Sequence, residues 1–303
     1  MIERLRQGKL IWINLKKPTQ DEVQKVMHEL DISPALMTDL TSVVPKNAVT
    51  VAEDVIKLTL DFPAIRHIEA DRQFEVKFFI LKKSLLTVQY EEMEGFDRFK
   101  KQFEVAATLH KFKRDVTGAH LFFSLFGNLY DSAHSKLDYI ESQLSEIESD
   151  IFTDNEKHMV YEISNISKKL ISFRHTIQSH EDIFYSLTLT FEDMYGDTFD
   201  RDLQNIRTQF FSLQHKANTQ FETLVALRDT NSAMLTTKQN EVIKLFTIIA
   251  FITFPLTLFS SMFGMNVVSA PIIGQKHDFW IILGIMCTVA VIFFAYFKHK
   301  RWM

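Results

Sequence analysis

Two uncharged apolar runs, residues 245–263 and 279–297, stand close together at the end of a 303-residue chain and restrict its fold more than any other feature. At about 1.5 Å per residue each is long enough to cross roughly 30 Å of hydrocarbon as a helix. Only about fifteen residues, 264–278, separate them. Lys298-His299-Lys300-Arg301 follows the second run at once, and positive residues beside a span stay on the cytoplasmic side. The carboxyl terminus is therefore expected inside, and two crossings put the large amino-terminal part inside as well. Its first residues, MIERLRQGKLIWINL, lack the apolar core of a signal peptide. The single cysteine, Cys287, lies within the second run; it forms no intrachain disulfide, and a reduced cytosolic setting fits.

The first run is not uniformly apolar. Steps of three and four residues from Asn240 give Ile243, Thr247, Ala250, Phe254, Thr257 and Ser261, a narrow stripe that gathers small and hydroxylated side chains. Packing against neighbouring membrane helices accounts for such a stripe as well as a wet lumen does. Pro255 removes one backbone hydrogen bond, which membrane helices tolerate where neighbours compensate. Gly264 permits a sharp turn after the span.

The run ends Phe263-Gly264-Met265-Asn266, and Asn240-Glu241-Val242, Lys244, Thr247-Ile248-Ile249-Ala250 and Pro255-Leu256-Thr257 precede it in order. With a short loop, a second span and a basic tail, this resembles the CorA family of divalent-cation channels, whose signature is Gly-Met-Asn. The resemblance implies a funnel-shaped homopentamer in the cytoplasmic (cell inner) membrane, with Gly264, Met265 and Asn266 as selectivity filter. It further implies Thr257 and Asn240 as polar rings and Ile243 and Phe254 as hydrophobic constrictions, with Phe246 at another position that narrows the family's pore. A ring of Asn266 amides suits hydrated Mg²⁺, because that ion sheds water reluctantly and amide carbonyls accept hydrogen bonds from first-shell waters. Asp39, and less closely Asp202, match the acidic residues through which the family is gated by cytosolic divalent ions. Two facing carboxylates repel without metal and are bridged with it; ordinary surface aspartates are the alternative reading of both. Lys244, Lys298, Lys300 and Arg301 are expected together near the inner membrane surface, where headgroup anchoring explains them equally well. The loop reads Val267-Val268-Ser269-Ala270-Pro271 where the family often carries acids, and Phe263 stands in the place of its frequent tyrosine.

Residues 1–117 read as an α/β domain. Buried or alternating strands are expected at 10–15, 55–62, 74–81 and 85–90. Helix starts are expected at Pro18-Thr19 and Ser33-Pro34. Trp12-Ile13-Asn14, Ile32-Ser33-Pro34 and Pro45-Lys46 resemble landmarks of the CorA soluble domain, and a chain that begins so near the tryptophan suggests a smaller sheet. No proline occurs between Pro63 and Pro255, and no glycine between Gly127 and Gly196. Residues 118–197 therefore read as a helical hairpin, with helices at about 119–152 and 156–194. Its acidic residues Asp138, Glu141, Glu146, Glu148 and Asp150 either concentrate cations or form a solvated face. Residues 198–264 read as a stalk helix that continues into the first span. Leu203, Ile206, Phe210, Leu213, Ala217, Phe221 and Leu224 form its apolar stripe, and Ala233, Ala226, Thr219 and Ser212 extend the polar stripe backwards. The fold class is thus an α/β cytoplasmic domain, a long-helix stalk and two C-terminal transmembrane helices, with a loop at 265–278 and a basic tail at 298–303.

A formal net charge of −4 gives no footprint for nucleic acid. No Gly-rich nucleotide loop and no nucleophile with an evident base is present, so neither a nucleotide partner nor an enzyme is expected. The retained Gly-Met-Asn favours Mg²⁺ as cargo, with Co²⁺, Ni²⁺ or Zn²⁺ as the alternative. His277-Asp278 and the pair His134 and Asp138 raise zinc, but the eleven histidines make no Cys/His cluster at metal spacing. A non-conducting membrane-anchored scaffold or sensor is the alternative of another class. Two-span receptors usually place a folded domain between their spans, and here both spans end the chain.

Overall fold

In the computed structural model the described residues are 1–33, 36, 48–63, 73–108, 116–153, 156–265, 277–300 and 302. They divide into two compact units, Met1–Arg228 and Asp229–Met303.

The first unit is built on a six-stranded sheet. Its strands are β1 (Ile2–Gln7), β2 (Leu10–Lys16), β3 (Ala48–Ala52), β4 (Val55–Pro63), β5 (Gln73–Ile80) and β6 (Ser84–Gln89). They lie in the order β1-β2-β6-β5-β4-β3, antiparallel except for the parallel pair β2 and β6. The four strands expected from the sequence are present. The edges β1 and β3 were not expected, because both are short and half-exposed, so neither shows the strong apolar signal of a buried strand. A sheet smaller than usual was expected from the short leader; the leader itself supplies β1.

Consecutive side chains of a strand point to opposite faces, and both faces here are covered. Trp12, Leu58, Leu60, Phe62, Val76, Phe78 and Leu85 enter one core; Ile13, Leu15, Phe79, Leu86 and Val88 enter the other. The second core is closed by α1 (Gln20–Glu29) through Val23, Val26 and Met27. Thr19 caps that helix: its hydroxyl accepts from the Glu22 amide at 3.3 Å while the Glu22 carboxylate accepts from the Thr19 amide at 3.0 Å. The second expected helix start, Ser33-Pro34, and Pro45-Lys46 run into residues outside the described ones.

The larger core is closed by α2 (Glu94–Thr108) and α3 (Gly118–Asp150), which carry Phe96, Phe99, Phe122 and Phe126 inward. Gly118 opens α3 against the β5–β6 turn. Its amide donates to the Lys82 carbonyl at 3.2 Å, and a Cβ there would meet the carbonyl oxygens of Leu81 and Ser84 at 2.2 Å.

One helix was expected over 156–194; there are two, α4 (Glu156–Gln178) and α5 (His180–Tyr195). A local and a tertiary feature meet at the break at Ser179. Thr176 and Ser179 donate their hydroxyls back to the Ser172 and Thr176 carbonyls at 2.9 and 2.7 Å, a competition that bends helices. Just after the break, fully buried His180 is held from two sides. A carbonyl only accepts, so Nε2 carries the proton and donates to the Asp61 oxygen at 2.6 Å, which leaves Nδ1 to accept from the Tyr130 hydroxyl at 2.8 Å. Lys169 stands over the Tyr139 ring at 6.0 Å and His180 meets Tyr130, so α3 and α4–α5 run antiparallel, as the expected hairpin requires.

A 3-10 turn (Gly196–Phe199) leads into the 65-residue α6 (Asp200–Gly264). Within the first unit Leu203, Ile206, Phe210, Leu213, Ala217 and Leu224 are buried and Phe221 packs beside them. In the second unit the rest of α6 is joined by α7 (Asp278–His299). Both helices are long and apolar enough to cross a membrane.

Two outcomes follow for stability. Burial lowers the His180 pKa from 6.5 to about 4, against the smaller opposing effect of the Asp61 carbonyl. Between pH 6.5 and about 4 the unfolded chain therefore takes up a proton that the folded chain refuses, and stability falls as pH falls, by roughly 3 kcal/mol in all. Thermal unfolding of the detergent-solubilised chain by circular dichroism should show this loss, and His180→Gln should flatten that part of the pH profile. Gly118→Ala should destabilise the chain by about 1–3 kcal/mol or more, since the obstructing atoms are backbone; an unchanged midpoint in the same measurement would refute the close approach.

Candidate ion-conduction segment

The segment that carries the sequence signature is the end of α6, from Asn240 to Met265. The helix persists through Pro255 and stops at Gly264, so the apolar run and its stripe lie on one rod. Asn240, Ile243, Phe246, Phe254, Thr257 and Ser261 are exposed, and Thr247 and Ala250 are half-buried. Gly264 and Met265 are exposed at the helix end, and Asn266 lies outside the described residues. Phe246 and Phe254 are 67% and 74% exposed, a burial debt that only lipid or further protein can relieve.

The opposite side of this helix is partly covered by α7. Ile248 and Phe297 are buried, and the Phe251 and Phe297 rings lie 6.2 Å apart. The covered residue Ile248 follows Thr247 of the stripe directly, a rotation of about 100°, so the stripe turns away from α7.

The threonine hydroxyls of this segment are already committed as donors. Thr247 donates to the Ile243 carbonyl at 2.8 Å, Thr257 to the Thr253 carbonyl at 2.9 Å, and Thr253 to the Ile249 carbonyl at 2.9 Å. Each oxygen therefore presents only lone pairs outward, the polarity that attracts water hydrogens around a cation. Thr253 escaped the sequence reading because steps of seven from Asn240 pass it by; its place one turn before Thr257 was the available signal.

The charged residues fall into separate groups. Asp202 is half-buried in the first turn of α6 beside Asp200, where the helix dipole favours acids; Asp39, its expected partner, lies outside the described residues. Lys244 is half-buried, Lys298 and Lys300 are exposed, and Arg301 lies outside the described residues. The contact between Phe251 and Phe297 brings Lys244, Lys298 and Lys300 within about two helical turns of one another's level. In the first unit Lys216 reaches Asp138 at 2.5 Å and Glu141 at 2.7 Å. Those two acids share one cation from α6, so their pair keeps a net negative charge and both remain exposed. Lys216 also engages the carboxylate of the His134 and Asp138 pair, while burial lowers the His134 pKa. Among the described residues no group of three or more His, Cys, Asp or Glu side chains is arranged to hold a metal ion. What the stripe presents is neutral: amide, hydroxyl and aromatic groups.

Comparisons with known proteins identify the family and the fold. The family model described as CorA-like Mg²⁺ transporter protein matches residues 7–299. The chain is 24% identical over 294 residues to the cobalt/magnesium transport protein CorA of Thermotoga maritima, covering 96% of this chain and 83% of that protein. It is 24% identical over 304 residues to the magnesium transport protein CorA of Helicobacter pylori J99, covering 99% and 92%. Its fold superposes on the complete structure of the CorA magnesium transporter from Methanocaldococcus jannaschii with a TM-score of 0.82 at 19% identity, covering 99% of this chain and 93% of that one. With the family model spanning nearly the whole chain, the protein belongs to the CorA family.

Proposed function

We propose that this chain forms a membrane channel for Mg²⁺ uptake, several copies standing around an axis with the stripe of α6 facing the lumen. The observation that carries the reading is the outward face of that helix: Asn240, Thr247 and Thr257 offer oxygen acceptors without a single carboxylate on the stripe, leading to Gly264-Met265-Asn266. The relatives named as magnesium or cobalt/magnesium transport proteins support the cargo.

Neutral acceptors suit an ion that crosses with its water. Mg²⁺ demands octahedral coordination and dehydrates reluctantly, so a ring of Asn266 amides grips the first-shell waters and lets the ion go, whereas carboxylates would bind it deeply. Ile243, Phe246 and Phe254 narrow the lumen and gate it by dewetting. The resemblance supplies five as the number of copies. The basic tail supports a reading with both termini on the cytoplasmic side, and the inside-negative potential drives entry with about 4.6 kcal/mol per 100 mV for two charges. Asp39 and Asp202 of adjacent copies hold a cytosolic divalent ion that keeps the assembly closed.

Purified protein in proteoliposomes with an inside-negative potential should take up Mg²⁺ without proton movement. Co²⁺ and Ni²⁺ should enter by the same route. Asn266→Ala should reduce this flux by at least tenfold while leaving the oligomer intact, and Asp39→Asn should weaken inhibition by internal Mg²⁺. Zinc entry that requires a proton gradient, with little Mg²⁺ entry, would identify a zinc transporter. Absence of flux for every ion would leave a scaffold or sensor.

A further inference from the structure

The tail of α7 is a concentration of positive charge beside an aromatic cluster. Lys298 and Lys300 are exposed. The chain does not run straight on after them: the Trp302 amide donates to the Phe297 carbonyl at 3.1 Å, and the Trp302 ring lies 5.9 Å from the Phe297 ring. The indole is thereby folded back against the last apolar turn of the helix, next to Tyr296 and Phe297, whose rings are 5.6 Å apart. One turn before it, Ile292 and Tyr296, four residues apart on the same side of the helix, leave a bare apolar flank on α7.

Among the described residues no ion pair engages Lys298 or Lys300. After Glu241 the only side-chain carboxylate in the chain is Asp278. It begins α7, twenty residues before Lys298, which is about 30 Å along the helix. Lysine stems can lie along apolar surface while their ammonium groups reach water or phosphate, and indole rings settle at the membrane interface. Cations at the end of the span, an amphipathic ring beside them and an apolar flank below are the three surfaces that one phospholipid presents in complementary order: phosphate, ester region and acyl chain. A free phosphate ion would use only the first.

We infer that the tail of α7 binds phospholipids with an anionic headgroup, Lys298 and Lys300 holding the phosphate and Trp302 lying against the ester region. The site rests on the reading of α7 as a membrane helix. Its consequence is that the lower end of the α6–α7 pair is fixed to the charged leaflet at Phe251 and Phe297, close to Lys244.

The test is native mass spectrometry of the full chain in detergent, titrated with phosphatidylglycerol or phosphatidylcholine. Phosphatidylglycerol should be retained in preference, and Lys298→Gln with Lys300→Gln should lower that preference by about fivefold per lysine. Lys298→Arg with Lys300→Arg should keep it, which separates lost charge from lost folding. Equal retention of the two lipids by the unaltered chain, or unchanged preference in the glutamine variant, overturns the site. Displacement of the lipid by excess inorganic phosphate assigns the cations to a soluble anion and also overturns it. Failure of the chain to enter liposomes at all would instead strike the membrane reading, so the two failures are distinguishable.

Discussion

Burial on both faces of the sheet is the constraint on which the first unit depends. A strand whose consecutive residues are apolar cannot leave either face to water, and Phe78 and Phe79, like Leu85 and Leu86, send neighbouring side chains into separate cores. One face needs only the short α1. The other draws in α2 and α3, and α3 then supplies the surface against which α4, α5 and the first part of α6 bury their own apolar residues. The helices after the sheet are therefore not an independent bundle; they share a continuous core with it.

The second unit obeys the opposite rule. Ile243, Phe246, Phe251, Phe254 and Leu258 are bare, and no water-filled setting stabilises that much exposed hydrocarbon on two neighbouring helices. Within such a surface a hydroxyl is costly unless its proton has a partner. Thr247, Thr253 and Thr257 meet that demand through carbonyls of their own helix, so the helix can carry polar oxygens through an apolar medium without needing a neighbour to satisfy them.

Electrostatics separates the two units in kind. In the first, charge is used structurally: Lys216 ties α6 to Asp138 and Glu141 of α3, and Glu3 accepts from Lys100 at 3.1 Å between the sheet and α2. Burial pushes the Glu3 carboxyl up, but hydrogen bonds from Lys100 and Asn14 together with the charges of Lys16 and Lys100 hold it below its ordinary value. In the second, the conducting stripe of the proposed channel is neutral and the charge is confined to the ends. That division fits a cargo recognised through its water shell, since a fixed carboxylate in a low-dielectric lumen would hold a divalent ion too firmly to pass it.

The amino-acid sequence by itself determined the two spans, the long helix that enters the first of them, the four central strands and the stripe ending in Gly264-Met265-Asn266. These are legible because uniform apolarity, a period of two and a period near three and a half are local properties of the chain. Tertiary structure decided the rest. The edges β1 and β3 exist because partners offer them free backbone groups, not because their side chains announce a strand. The break at Ser179 depends on where His180 finds Asp61 and Tyr130, residues 119 and 50 positions away. The pairing of Asp138 and Glu141 depends on Lys216, which lies far along the chain and reaches them only once α6 has packed on α3. Interactions of that kind are set by distances across the fold, and periodicity along the chain does not encode them.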